Sequence, residues 1–345
     1  MSWKKYWIKL ICTTLIVGLC VYSLIIIVDP YDTLKFSYPA KREPIVSNQR
    51  FSYPSIAQKD FHDSAIIGNS TIRLLNPENL NPVFDAKFVN LAMNSTTAYE
   101  QYKILKLFIS SHENIKFLMV GVDLAWCDTN VEPKKLTFRP FPTWLYDKNE
   151  FNDYLNMFSA RGLENSVRLI EYWLGKREAK YNGDGYHNFV GDDSRYDLQK
   201  AVTNIYGSIE NKISFEEKLS NKNNKGSSSN ESLQFPVHKL YLSKIFDSLN
   251  DDVIKLIVFV PYHYRHTYRQ HENFNECKNK LIKFSHKYKN THLVDFMFDS
   301  EITNNDSNYW DVLHYRIHIA EKMPDLIYKT FTNMEDIENA TRYLD

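Results

Sequence analysis

The chain has 345 residues, 43% of them hydrophobic, which is enough for one large domain or two small ones with a sizeable core. Its 42 basic and 42 acidic residues balance, which argues against a general nucleic-acid-binding protein, because such proteins normally carry a basic excess. With 10 glycines and neither a GxGxxG nor a GxxxxGK[ST] motif, the sequence offers no glycine-rich phosphate loop.

An uncharged apolar run occupies residues 10–28. A helix of this length nearly spans the ~30 Å hydrocarbon core of a bilayer. Lysines precede the run at positions 4, 5 and 9 and Asp29 follows it, so the positive-inside rule places the tail 1–9 in the cytoplasm and the body outside. A cleaved signal peptide is the competing interpretation, but the run ends without a small-x-small cleavage site. We therefore expect an uncleaved, single-pass anchor in the cytoplasmic (inner) membrane, with a periplasmic or extracellular domain.

The rest of the chain is predicted to form a stalk, a main domain and a short tail. Residues 29–60 are polar and proline-containing and indicate an extended stalk, and 333–345 indicate a C-terminal tail. The domain between them, 61–332, contains an insertion at about 128–248 that breaks its strand–helix rhythm. Within it, the low-complexity stretch 221–232 is expected to be mobile.

Strands alternating with helices predict an α/β domain built on a parallel sheet with helices on both faces. Buried runs indicate strands at 64–67, 87–92, 115–122, 253–260 and 292–296. Helical patterns occupy 97–111, 151–158, 163–176, 198–209, 237–249, 273–289 and 315–331.

Ser70 follows the first of these strands. Gly68 and Asn69 permit a tight turn after Ile67, which places the Ser70 hydroxyl at the carboxyl end of the strand and in the first turn of a predicted helix. Open α/β sheets bind their ligands at this edge. A serine there is either a helix cap or a nucleophile, and the stretch alone favours the cap.

Asp311 and His314 lie in a polar loop just before the last predicted helix. A histidine can take the proton of a serine nucleophile, and a carboxylate can orient that histidine. A parallel sheet would bring this loop to the same edge as Ser70. Without Ser70, a purely structural interpretation is favoured, in which Asp311 caps the helix and His314 is a surface residue.

Four blocks in this order resemble the SGNH (GDSL-like) hydrolase superfamily: Gly68-Asn69-Ser70, Asn90-Leu-Ala-Met-Asn94, Gly121-Val-Asp123 and Asp311-Val-Leu-His314. The likeness is closer to membrane-anchored members that modify cell-envelope polymers, including relatives of the alginate O-acetylation proteins and of the teichoic-acid D-alanyl-transfer protein. It covers about residues 60–125 and 250–330. The resemblance implies a three-layer, flavodoxin-like α/β/α fold, with Ser70 as nucleophile, His314 as base and Asp311 as its orienter.

Three departures bear on the oxyanion hole of that family. Asn69 replaces the aspartate of Gly-Asp-Ser, the glycine after the second strand is missing, and Asp123 replaces an asparagine. The backbone N–H of Ser70 would be one oxyanion donor, and Asn94 is either the second donor or an ordinary surface residue. Arg73 either binds an acidic sugar or phosphate or is simply solvated, and we favour the second.

The cysteines and histidines point to no further site. Cys127 and Cys277 lie in the body of the chain, where an oxidising compartment permits a disulfide, but with their distance unknown we take them as unpaired. Three histidines, His263, His266 and His271, follow a strand without a matching carboxylate or cysteine spacing, so we expect partly exposed histidines and no metal site.

These inferences converge on a serine esterase or O-acyl(acetyl)transferase that acts on a cell-envelope polysaccharide and needs no cofactor. A multi-pass membrane acyltransferase is a possible partner. Two alternatives stay open: an inactive accessory protein that binds glycan or that acyltransferase, and a lipid esterase. A wide apolar cleft beneath the insertion would favour the lipid esterase.

Overall fold

The computed structural model describes residues 2–38, 42–123, 126–128, 130, 134–220, 238–269 and 271–345. The chain divides into two compact units. The helical unit consists of the residues up to Ile56 together with Pro140–Gly183, and the sheet unit consists of Ala57–Arg139 and Asp184–Asp345. The predicted insertion is thus divided between the two units. The low-complexity stretch 221–232 lies outside the described residues.

The elements follow the alternation that the sequence indicates. The helices are α1 (Trp3–Val28), α2 (Gln49–Ile56), α3 (Pro77–Phe84), α4 (Ala98–Ile109), α5 (Glu150–Met157), α6 (Ala160–Trp173), α7 (Leu198–Tyr206), α8 (Ile209–Ser220), α9 (Ser243–Phe246), α10 (Tyr264–Arg269), α11 (His271–Ser285), α12 (Glu301–Asn304) and α13 (Ile317–Asn333). The strands are β1 (Ser64–Ile67), β2 (Phe88–Asn90), β3 (Phe117–Val122), β4 (Ile254–Phe259), β5 (Thr291–Asp295) and β6 (Arg342–Leu344).

The six strands form one mixed sheet in the order β2-β1-β3-β4-β5-β6. The strands β1 to β5 pair parallel with one another, as predicted. The expectation of an entirely parallel sheet is wrong, because β6 pairs antiparallel with β5. This strand comes from the segment that the sequence assigns to a tail. Three residues, none of them buried, give too short a pattern to identify a strand beforehand.

Two groups of helices cover the sheet. In one group, Phe84 of α3 stacks on Phe331 of α13 with 5.8 Å between ring centroids. In the other, Phe246 of α9 contacts Phe284 of α11 at 5.4 Å. Every residue of β1, β2 and β3 is buried. Burial along whole strands explains why these runs are largely apolar instead of alternating between apolar and polar residues.

Cys127 and Cys277 form a disulfide, with 5.5 Å between their Cα atoms. The expectation that they are unpaired is therefore wrong. The bond ties the segment after β3 to α11 across 150 positions of sequence. Sequence alone carries no information on the distance between two α-carbons so far apart.

In the helical unit, α1 is long and apolar enough to cross a membrane, with a mean hydropathy of 2.6 over its most apolar window. The segment after it is not wholly extended, since it contains α2. The carboxylate of Asp29, at the end of α1, accepts hydrogen bonds from the backbone N–H groups of Thr33 and Leu34 at 2.9 and 2.8 Å. The chain therefore turns sharply where the helix ends.

Two carboxylates of this unit are buried. Burial raises the pKa of Asp29 to about 6. Burial also raises the pKa of Asp153 on α5 to about 7, and the charges of Asp147, Asp29 and Glu150 raise it further. Desolvation disfavours the ionised form of a carboxyl group, so the fold holds both groups protonated at a pH where the unfolded chain would ionise them.

This arrangement predicts that the protein loses stability as the pH rises. Between the usual carboxyl pKa of about 4 and about 7, the folded state binds more protons than the unfolded state, so the free energy of unfolding falls with rising pH. We expect the Tm of the full chain in detergent to fall from about pH 5 to about pH 8. Asp153→Asn should flatten that fall, whereas the exposed control Glu178→Gln should not. Parallel curves for Asp153→Asn and the unmodified protein would contradict the assignment.

Candidate functional site

The Ser70 loop begins where β1 ends, and two glycines allow it to lie close to β3. Gly68 has a φ of +152°, a region that favours glycine, and a Cβ there would lie 2.4 Å from Ile72 Cγ2. A Cβ on Gly121 of β3 would lie 2.6 Å from the same atom. Ile72 therefore fits only because both positions lack a side chain.

The helix predicted at Ser70 is shorter than expected. A 3-10 helix spans Ile72–Leu74, and Ser70 lies in the turn before it. The side chain of Asn90, wholly buried at the end of β2, donates from Nδ2 to the backbone carbonyls of Arg73 (3.1 Å) and Leu75 (2.8 Å). These bonds satisfy carbonyls that a longer helix would have paired internally. Asn90 thus holds the Ser70 segment against the sheet.

The Asp311–His314 loop is a tight hairpin. Its ends are Tyr309 and Tyr315, which form an isolated antiparallel bridge, and Trp310 N–H donates to His314 O at 2.9 Å. The buried Tyr315 donates from its hydroxyl to the backbone carbonyl of Thr71 at 2.5 Å. The hairpin is thus bonded directly to the residue that follows Ser70.

The structure brings the three predicted residues together in one chain of hydrogen bonds. Ser70 Oγ lies 3.0 Å from His314 Nε2. His314 Nδ1 lies 2.9 Å from Asp311 Oδ2. Asp311 Oδ1 also accepts from the backbone N–H groups of Leu313 and His314 at 2.8 and 2.9 Å, which fixes the carboxylate. These partners assign the proton of the neutral imidazole to Nδ1 and leave Nε2 as the acceptor for the Ser70 hydroxyl.

The electrostatics of the pair keep Asp311 ionised. Burial opposes its ionisation, but hydrogen bonding to His314 and to backbone N–H groups outweighs it, so the pKa of Asp311 is lowered. A carboxylate that stays ionised stabilises the imidazolium that forms when His314 takes a proton. The arrangement can therefore activate a hydroxyl for attack on a carbonyl.

The residues that would bind the oxyanion differ from those of the hydrolase family that the sequence resembles. The backbone N–H of Ser70 donates to Asn69 Oδ1 at 3.0 Å, and that oxygen also accepts from Thr96 N–H at 3.3 Å. Asp123 is buried at the end of β3. Asn94 accepts a hydrogen bond from Arg73 through Oδ1.

Arg73 is not solvated, and the interpretation that favoured a solvated side chain is wrong. It is 1% exposed, and its guanidinium lies 4.0 Å from the ring centroid of Phe189, in cation–π contact. The ring of Phe189 also meets the imidazole of His314 edge-on at 5.5 Å. Phe189 is a member of the site that the sequence did not indicate, since a lone phenylalanine in the predicted insertion carries no motif.

A second histidine–carboxylate pair lies in the sheet unit. His263 Nε2 is 3.0 Å from Asp306 Oδ1, and Asp306 also accepts from Tyr206 and Lys212 at 3.0 and 2.6 Å. Burial opposes the ionisation of Asp306, but hydrogen bonds from His263 and Lys212 outweigh it and lower its pKa to about 2. His263 is 1% exposed, so the expectation of a partly exposed histidine is wrong for it.

Within the described residues, no group of three or more His, Cys, Asp or Glu side chains is arranged to hold a metal ion. Comparison of the sequence with protein-family models and with curated proteins finds no match. The chemistry of the site therefore has to be argued from its own residues.

Proposed function

We propose that the protein is a membrane-anchored serine esterase or O-acyltransferase of the SGNH type. One observation carries the proposal: Ser70, His314 and Asp311 form a continuous chain of hydrogen bonds of 3.0 and 2.9 Å. The order of the parallel strands, 2-1-3-4-5, supports it, because flavodoxin-like doubly wound sheets share that order and bind ligands at the carboxyl edge. The helices α3 and α4 suit the predicted three layers, since right-handed crossovers would put these two helices on opposite faces of the sheet.

The first half of the reaction transfers the acyl group to the enzyme. Ser70 Oγ attacks the ester carbonyl carbon while its proton passes to His314 Nε2. Asp311 stabilises the resulting imidazolium through Nδ1. The tetrahedral intermediate then collapses, the bond from carbon to the leaving oxygen breaks, and His314 returns the proton to that oxygen. The products are a free alcohol and an acyl ester of Ser70.

The second half releases the acyl group. His314 Nε2 takes a proton from an incoming hydroxyl, whose oxygen attacks the acyl carbon. The tetrahedral intermediate collapses, the bond from the acyl carbon to Ser70 Oγ breaks, and His314 returns the proton to Ser70 Oγ. Water as acceptor gives a carboxylic acid, and a sugar hydroxyl gives a new ester. We assign a cell-envelope polysaccharide as the substrate and acetyl as the acyl group, on the resemblance of the sequence blocks. No cofactor takes part in these steps, and a multi-pass membrane acyltransferase would supply the acyl group in a transferase.

A second candidate, an inactive accessory protein, is favoured by one observation. The Ser70 N–H, which would bind the oxyanion, donates instead to Asn69 Oδ1. Losing one oxyanion donor typically lowers the rate by ~10²–10³. If the protein is an active enzyme, Asn94 Nδ2 is the proposed second hydrogen-bond donor to the oxyanion, and the hydrogen bond from Arg73 to Asn94 Oδ1 orients this amide. The third alternative, a lipid esterase, shares this catalytic machinery and differs only in its substrate.

Ser70→Ala is expected to abolish turnover of p-nitrophenyl acetate and labelling by a fluorophosphonate, because both reactions need the Ser70 oxygen. The matched control is Ser95→Gly, which removes an exposed hydroxyl from the segment after β2 and suits its φ of 48°. Equal Tm values would show that the fold is intact. An unmodified protein that fluorophosphonate does not label would support the accessory protein, and turnover retained in Ser70→Ala would refute the nucleophile.

Asp311→Asn is expected to lower kcat by about 10²–10⁴ while keeping the hairpin. The amide oxygen can still accept from Leu313 N–H and His314 N–H, but the charge that stabilises the imidazolium is lost. Steady-state kinetics and Tm separate the two effects. Asp193→Asn is the control, since that carboxylate pairs with Arg316 Nε at 3.1 Å. Equal losses in both variants would contradict a specific role for Asp311.

Phe189→Ala is expected to favour longer acyl groups, because it removes the ring that lies between the Arg73 guanidinium and the His314 imidazole. The rate with p-nitrophenyl butyrate should rise relative to that with the acetate. Phe189→Leu, which keeps most of the apolar volume, is the control and should change the ratio less. An unchanged ratio in Phe189→Ala would exclude this ring as a wall of the acyl site.

A further inference from the structure

The helix α5 carries an apolar face that turns away from the helical unit. Phe151 is 69% exposed, Leu155 is 59% exposed, and Phe158, directly after the helix, is 54% exposed. Positions four and seven residues apart lie on one side of a helix. Asp153 and Met157 lie on the opposite side and are buried. Phe151, Leu155 and Phe158 are together called the α5 face.

The α5 face lies beside the apolar part of α1. The hydroxyl of Tyr22 donates to the backbone carbonyl of Tyr154 at 3.1 Å. The ring of Tyr22 meets Phe158 edge-on at 5.4 Å. Tyr22 precedes the end of α1 at Val28 by six residues, which is ~9 Å along a helix at 1.5 Å per residue. The end of α5 therefore lies level with a turn of α1 that belongs to the uncharged run.

The neighbouring groups match the boundary of a bilayer. Exposed apolar side chains of α1, including Leu24 (37%) and Ile27 (54%), continue to the level where Phe158 packs. Tyr22 and Tyr154 are residues of the amphipathic type that concentrates at membrane interfaces. At the start of α5, Glu150 pairs with Lys35 at 2.7 Å, and Lys35 is largely exposed, so a charged group lies at the opposite end of the helix from Phe158.

We propose that the α5 face enters the same bilayer as α1 and rests at the boundary between head groups and acyl chains. The occupant of this face is lipid, because the face continues the surface of a helix that is itself suited to lipid. Burying three large apolar side chains in the boundary region is favourable, whereas leaving them together in water is costly. The inference depends on α1 spanning the membrane, but it does not depend on the proposed catalytic activity.

Spin labelling of the full chain in vesicles of phosphatidylcholine and phosphatidylglycerol tests the proposal. The free cysteines in α1 are first replaced by Cys12→Ser and Cys20→Ser, and the disulfide leaves no other thiol for the label. Single cysteines are then introduced by Phe151→Cys and Leu155→Cys. Asn156→Cys is the matched control on the same helix, since Asn156 is exposed but off the α5 face. Val17→Cys, at an exposed position of α1, reports on the anchor itself.

Collisions of the label with oxygen, which concentrates in lipid, are compared with collisions with a water-soluble nickel chelate. We expect labels at 17, 151 and 155 to collide more with oxygen and the label at 156 to collide more with nickel. If only the label at 17 favours oxygen, the anchor stands and the α5 proposal is overturned. Labels at 151 and 155 that collide with neither reagent would also overturn it, because protein would then cover the face. If the label at 17 favours nickel, α1 does not span the membrane and the proposal fails with it.

Discussion

The hydrogen bond between Ser70 Oγ and His314 Nε2 joins two residues that are 244 positions apart, and the site depends on it. Two local constraints make it possible. The absence of side chains at Gly68 and Gly121 lets the Ser70 segment lie against β3. The bond from the Tyr315 hydroxyl to Thr71 O then fixes the hairpin to that segment. Neither constraint involves a reacting atom, yet both determine the distance across which a proton would move.

The sequence predicted those parts of the fold that have strong local patterns. The strands β1, β3 and β4 are largely apolar because almost every residue in them is buried, so their positions could be predicted within two residues. It also predicted which loops share an edge, because parallel strands place their carboxyl ends together. The prediction of a longer helix at Ser70 was wrong. The side chain of Asn90, twenty positions later, donates the hydrogen bonds to backbone carbonyls that a longer helix would have supplied itself.

The remaining features depend on contacts between distant residues. The disulfide needs a distance that no spacing encodes, and the burial of Arg73 needs Phe189, which is 116 positions away along the printed sequence. The division of the predicted insertion between the two units also depends on contacts between distant residues. Its middle part, Pro140–Gly183, belongs with the residues around α1, and the parts before and after it belong with the sheet, although both units contain ordinary amphipathic helices. Only the packing in the folded protein shows which surface the apolar face of each helix contacts.

The two histidine–carboxylate pairs show why residue type alone does not define a site. His263 receives the backbone N–H of Arg265 on Nδ1 at 3.2 Å and faces Asp306 with Nε2 at 3.0 Å. Both ring nitrogens are thus occupied, and the ring is buried. His314 faces its carboxylate with Nδ1 and presents Nε2 to a hydroxyl, and its side chain remains 21% exposed. The His263–Asp306 pair therefore has a structural role, whereas His314 is a candidate proton acceptor, because, of the two histidines, only His314 has a ring nitrogen directed at a serine hydroxyl.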